Sequence, residues 1–315
     1  MNFKTPILFL TYKRYKTAIR VFESIRKIKP KKLYFASNAP RDHKEIFEVE
    51  KVRGIIKKID WQCELIKIFH TKHMEVKHSI PTSINFFFSK EKYGIILEDD
   101  CLPLKSFFLF CEKMLINYEN NTSINSICGS RFVKNKGKSE TYLSKYNHAW
   151  GWATWKSRWK NFDAHIKFWP KYKKTKFFLN YNPDRDEFDY WTKVFNKTYK
   201  KKINTWDYAW TACSWYHNQL SVIPPTALVQ NIGFGRDATW TVAKDKLIIK
   251  SREKKLNLSI KKKNIIRNIA NDRYVFQNHF KGEFLSFEKR LIHLLVLIFR
   301  DPITFFLKLK RKINV

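Results

Sequence analysis

The chain has 315 residues, 44% of them hydrophobic and 17% aromatic, with a formal charge of +34. That is enough for one large domain or two small ones with a real core, and eight glycines and ten prolines exclude a low-complexity chain. The charge favours an anionic partner, whether nucleic acid, membrane surface or phosphorylated substrate, and it equally suits a solvated lysine surface in a chain rich in Lys, Asn, Ile and Phe.

The five cysteines (Cys63, Cys101, Cys111, Cys128, Cys213) form no CxxC pair, and their odd number fits a reducing, cytoplasmic setting. Met1 to Thr5 leads straight into an apolar segment, so no signal peptide is expected. The longest apolar run, Leu291 to Phe299, holds nine residues and is too short to span a bilayer.

Pro6 to Leu10 (PILFL) predicts a first buried strand, followed by a polar loop with Tyr12, Lys13 and Arg14. Ala18, Val21, Phe22, Ile25 and Ile28 then recur at helical spacing. No glycine-rich phosphate loop joins them. Leu33 to Ala36 predicts a second strand, left through the turn SNAPRD into a helix starting near Asp42. Glu64 to Phe69 predicts a third strand, and Ile80, Ile84 and Phe87 the next helix. A βαβαβαβ order results, which implies right-handed crossovers and a parallel sheet.

The fourth strand is the pivot. Tyr93 to Pro103 reads YGIILEDDCLP, with an apolar core at Ile95, Ile96 and Leu97. Glu98, Asp99 and Asp100 fall where that strand ends, the place where open α/β sheets bind ligands. Gathering three carboxylates is costly, and a hard divalent cation would repay it. An acidic turn is the plainer account. A helix follows at Phe107, Phe108, Phe110, Cys111, Met114 and Leu115, then a short strand at Ser126 to Gly129.

His148 to Asp163 (HAWGWATWKSRWKNFD) gathers Trp150, Trp152, Trp155 and Trp159. Polar residues interleave it throughout, so the cluster predicts a sugar-stacking wall, while any single Trp also suits a core. Asp184 to Asp189 is a second acidic patch, and Asp207 lies among aromatics in WDYAW at a helix start. A carboxylate there can act as a general base with a raised pKa, or as an ordinary helix cap. Ser221 to Gly235 predicts strand, turn, strand and a glycine-hinged loop.

From Ala243 the chain turns basic, and residues 284 to 315 read as a basic amphipathic segment interrupted by Pro302. It suits an interfacial helix on an anionic membrane, or a helix packed on its own domain. Two regions are therefore expected: 1–242, and a helical extension over 243–315.

Four stretches together resemble a known family: PILFLTYKR, ILEDDCLP with its Phe-rich helix, HAWGWATWKSRW, and TWDYAW with the later NIGFG. The chain is similar to nucleotide-sugar glycosyltransferases of the GT-A fold, most nearly those of bacterial surface-polysaccharide loci, and more distantly to the N-acetylglucosaminyltransferase I family. The resemblance implies a Rossmann-like α/β fold with a mostly parallel central sheet flanked by helices. It implies Mn²⁺ or Mg²⁺ bound through Asp100, and nucleotide contacts from Glu98, Asp99 and Arg14. Asn38 and Lys77 or His78 fall near further nucleotide contacts of the family. Asp207 matches the general base, and Trp150, Trp152 and Trp206 are expected at the sugar or acceptor wall. Relatives often carry His where GRDATW has Trp240. The expected partners are a nucleotide-sugar donor, UDP-sugar favoured, and a glycan or lipid-linked acceptor. The expected place is the cytoplasm, peripheral on the inner face of the plasma membrane. A nucleic-acid-binding protein and a degenerate sugar-nucleotide-binding subunit are the competing functions. The spread of basic residues over the whole chain and the acidic clusters fit nucleic acid poorly.

Overall fold

The structure is a computed structural model of the chain, and residues 3–133, 140–234 and 265–280 are described. An eight-stranded mixed sheet forms its centre, in the order β3-β2-β1-β4-β8-β6-β9-β7. The first half is parallel: β1 (Ile7–Thr11), β2 (Lys32–Ser37), β3 (Glu64–Phe69) and β4 (Tyr93–Glu98). Helices α1 (Tyr15–Ile28), α2 (Ile46–Arg53) and α3 (Val76–Lys90) make the crossovers. The periodicity of α1 is what buries Ala18, Val21, Phe22, Ile25 and Ile28 on one face. Asp42 caps a single turn of 3-10 helix ahead of α2, which moves the α-helical start to Ile46.

Beyond β4 the chain forms a short ribbon strand, β5 (Cys101–Pro103), and then α4 (Lys105–Asn117). The far half of the sheet is made by β6 (Ile124–Cys128), β7 (Tyr142–Ser144), β8 (Trp152–Trp155) and β9 (Leu220–Ile223). Strand β8 runs antiparallel between β4 and β6, so the predominantly parallel sheet changes direction there. Short helices α5 (Lys156–Trp159), α6 (Trp169–Tyr172) and α7 (Lys176–Tyr181) lead to α8 (Arg185–Tyr199) and α9 (Asp207–Tyr216). Strand β10 (Val229–Asn231) pairs antiparallel with β5, placing Asn231 opposite Cys101.

Each face of the sheet carries its own core. One contains Phe9, Phe22, Phe107 and Trp155 between the sheet and α1 and α4. The other contains Ile96, Phe87, Trp152, Trp206 and Trp210 beneath α3 and α9. Residues 265–280 add α10 (Ile269–Val275) and a closing turn (Phe276–Phe280). They lie inside the extension expected over 243–315, yet Val275 and Phe276 are buried in the second core. Asp272 anchors them, accepting from Ser144 Oγ at 2.5 Å and Arg267 Nε at 2.6 Å. This part of the extension therefore belongs to the main body. The amphipathic segment 284–315 and Trp240 lie outside the described residues. Among the described residues no helix is long and apolar enough to cross a membrane.

Candidate active site at the end of the fourth strand

Side chains alternate along β4, so Ile96 and Glu98 share the sheet face that carries α3 and α9. The chain then turns through Asp99 and Asp100 into β5. Arg14, at the entry to α1, grips both aspartates: Asp99 directly, and Asp100 with Nη2 3.1 Å from Oδ2. The Tyr12 amide also donates to Asp99 at 3.3 Å. Asp99 is thereby buried, with 5% of its side chain exposed against 15% for Asp100. The backbone oxygen of Asp100 accepts from Ile232 N at 2.8 Å, which brings the NIGFG loop onto the acidic turn.

Glu98 is half-buried, and its carboxylate has no hydrogen-bond or ion-pair partner among the described residues. Burial, then Asp100 and Asp99, push its carboxyl well above the ordinary carboxylate range, and Asp207 adds to the effect against Arg14. Burial pushes Asp99 up to about 6 although Arg14 pulls it down. Asp207 is raised by burial, while the Thr205 hydroxyl and its own helix amides favour the charged form. Asp207 opens α9, where the helix dipole also favours a negative charge. The fold thus brings Asp207 within electrostatic range of Glu98, more than a hundred residues earlier in the chain.

Three carboxylates, Asp99, Asp100 and Glu98, surround the Arg14 guanidinium here, and every donor is oxygen. Such a set fits a hard divalent cation. Among the described residues no three His, Cys, Asp or Glu side chains form a cage. Asp100 is the more accessible of the turn's two aspartates, and it is the carboxylate that a cation would reach.

The other expected residues divide. Asn38 spends its side chain on the backbone: Nδ2 donates to Met74 O at 2.7 Å, and Oδ1 accepts from Met74 N and Ala39 N at 3.2 and 3.0 Å. It stitches two loops at the sheet edge. His78 is exposed in the first turn of α3, and the neighbouring Lys77 pairs with Glu75 at 2.6 Å. Trp150 is half-buried, its ring 6.2 Å from that of Phe234. Trp152 and Trp206 are only 2% and 3% exposed and stack on each other at 5.5 Å. The expected aromatic wall is corrected accordingly: these two are core, because Trp152 lies on a central strand covered on both faces.

Sequence reasoning missed a group beside Arg14. The Tyr12 hydroxyl donates to Glu45, Lys13 Nζ lies 2.7 Å from the same carboxylate, and the Tyr12 ring is 5.5 Å from His73. The aromatic placed two residues before Arg14 was the available signal.

No family model matches the chain, and no curated protein sequence matches it. Solved structures similar to it include HddC from Yersinia pseudotuberculosis, at 10% identity over 53% of this chain and 86% of that chain, with a TM-score of 0.33. Another is 4-diphosphocytidyl-2C-methyl-D-erythritol synthase from Anaerococcus prevotii, at 10% identity over 55% and 77%, with a TM-score of 0.32. An apo UDP-glucose pyrophosphorylase matches at 8% identity over 71% and 93%, also with a TM-score of 0.32. Scores this low do not bear on the reaction. The mixed α/β, Rossmann-like architecture is read from the chain's own sheet and helices.

Proposed function

We propose that the protein is a metal-dependent, inverting glycosyltransferase. It would move a sugar from a nucleoside-diphosphate donor, UDP-sugar favoured, to a glycan or lipid-linked acceptor in cell-surface polysaccharide synthesis. What supports this reading is the acidic turn at the end of β4, where Arg14 binds Asp99 and Asp100 and where the charge of Asp207 is felt at Glu98.

In this reading Arg14 holds Asp99 and orients Asp100, so the turn keeps one carboxylate open toward the donor's phosphates. A divalent cation, when bound, neutralises the departing diphosphate as a Lewis acid. Asp207 takes the proton from the acceptor hydroxyl, a poor nucleophile until then. Attack opposite the leaving group inverts the anomeric carbon. Burial raises the pKa of Asp207 and so makes its carboxylate a stronger base than a solvated aspartate.

Titration calorimetry with UDP, with and without Mn²⁺, tests the reading on the wild type and on Asp100→Ala. The expected result is Mn²⁺-dependent binding that the variant loses. UDP binding of equal strength in all four cases would overturn it.

A further inference from the structure

An open groove of about 420 Å³ runs between α3 and the loop 162–167. Lys77, His78, Pro81 and Asn85 line one side, and Phe162 and Lys167 the other. It begins beside the loop that carries Asp207: the Lys77 amide lies 3.4 Å from Asn204 Oδ1, three residues before the proposed base. Its far wall packs on the same helix as Asp207, with the Asp163 amide 3.3 Å from Cys213 Sγ on α9.

That wall is preformed. Asp163 spends its carboxylate on the loop's own amides, accepting from His165 N at 2.9 Å and Lys167 N at 2.7 Å. The fully buried Ile166 is held at φ 41°, a left-handed conformation that β-branched residues avoid. Strain of this kind persists where the surroundings enforce it, and it clusters at ligand sites. Phe162 is half-buried, stacked on Trp159 with centroids 4.4 Å apart.

The polar lining offers both kinds of hydrogen-bonding group. Asn85 Oδ1 is taken by Trp159 Nε1 at 2.7 Å, which leaves the Asn85 amide as a donor. Pro81, inside α3, has no N–H to return to the Lys77 carbonyl, which is left as an acceptor. Mixed donors and acceptors beside an aromatic ring suit the hydroxyls and apolar faces of a sugar. A lysine stands on each wall: Lys77 pairs with Glu75 at 2.6 Å, and Lys167 has no ion-pair partner among the described residues. The Asp163 carboxylate is turned onto its own loop amides, which leaves the Lys167 ammonium as the charge an anionic ligand could meet on that wall.

We infer that this groove is the acceptor subsite, and that the acceptor is a sugar bearing a carboxylate or phosphate. The inference rests on the glycosyltransferase reading and names the substrate class for it. Calorimetry on the full-length protein would compare trigalacturonate with neutral maltotriose, and mannose 6-phosphate with mannose. The expected result is preference for the anionic member of at least one pair, and the pair that shows it identifies carboxylate or phosphate. Lys167→Glu should weaken that member roughly fivefold, the scale of a partly exposed ion pair, with Mn²⁺-dependent UDP binding unchanged. Equal affinity within both pairs, or anionic binding unaffected by Lys167→Glu, would overturn the inference. UDP binding without anionic preference would sink the groove alone. Anionic preference without UDP binding would sink the donor reading and leave a glycan site.

Discussion

Gly233 lies against Asp100 so closely that a Cβ at position 233 would come 2.8 Å from both Cβ and Cγ of the aspartate. Carbon atoms do not tolerate that approach, so the missing side chain fixes where the carboxylate can point. The Gly233→Ala variant should displace Asp100 while leaving the sheet intact. Mn²⁺-dependent UDP affinity is expected to fall about tenfold, the usual cost of disturbing a ligand's supporting shell. Calorimetry with far-UV circular dichroism as a folding control checks this.

Asp207→Asn keeps the shape and removes the basicity. Transfer to acceptor is expected to fall by about 10²- to 10⁴-fold, the contribution of a general base, while the Kd for UDP with Mn²⁺ stays within twofold. A parallel loss of nucleotide binding would make Asp207 a structural cap instead.

The same residue sets a pH dependence. A base works only when ionised, so kcat/KM should rise with pH through the folded-state pKa of Asp207. Burial places that pKa above the ordinary value, and the Thr205 hydroxyl, which donates to the carboxylate, pulls it back. Thr205→Val removes a bond that favours the charged form, so the acid limb of the pH–rate profile should move to higher pH. A limb that stays put would show that another group titrates.

Lys145 is fully buried, with Nζ 2.8 Å from Glu187 and 4.7 Å from the Trp215 ring. Burial lowers its ammonium to about 8, and Glu187 works against that shift. Lys145→Met would leave Glu187 charged beneath the core, at a cost of about 3–5 kcal/mol. The double variant Lys145→Met/Glu187→Gln should lose less than the single one. Urea unfolding of both variants checks this. An equal or larger loss in the double variant would show that the pair contributes through its shape alone.

Much of the site could be read from local pattern. The run Ile95 to Leu97 ending in Glu98, Asp99 and Asp100 puts the acids at a strand end, because a short apolar run must be buried and its polar sequel must leave the core. The Trp150 to Trp159 stretch misled. Central strands are covered on both faces and lose the alternation that would reveal them, so Trp152 and Trp155 resembled a surface cluster. The docking of residues 265–280 was equally hidden, since it depends on the Arg267–Asp272 pair meeting Ser144 and Lys145.

The amino-acid order alone determined the parallel half of the sheet, the acidic strand exit and the aromatic-flanked helix start at Asp207. Each is set by hydrophobic periodicity or capping within some fifteen residues. Only the tertiary structure decided that the charge of Asp207 acts on Glu98, that Arg14 bridges two aspartates, and that Gly233 abuts Asp100. Those pairings cross the sheet, and chain-distant contacts are fixed by which faces pack together. No local pattern encodes that choice.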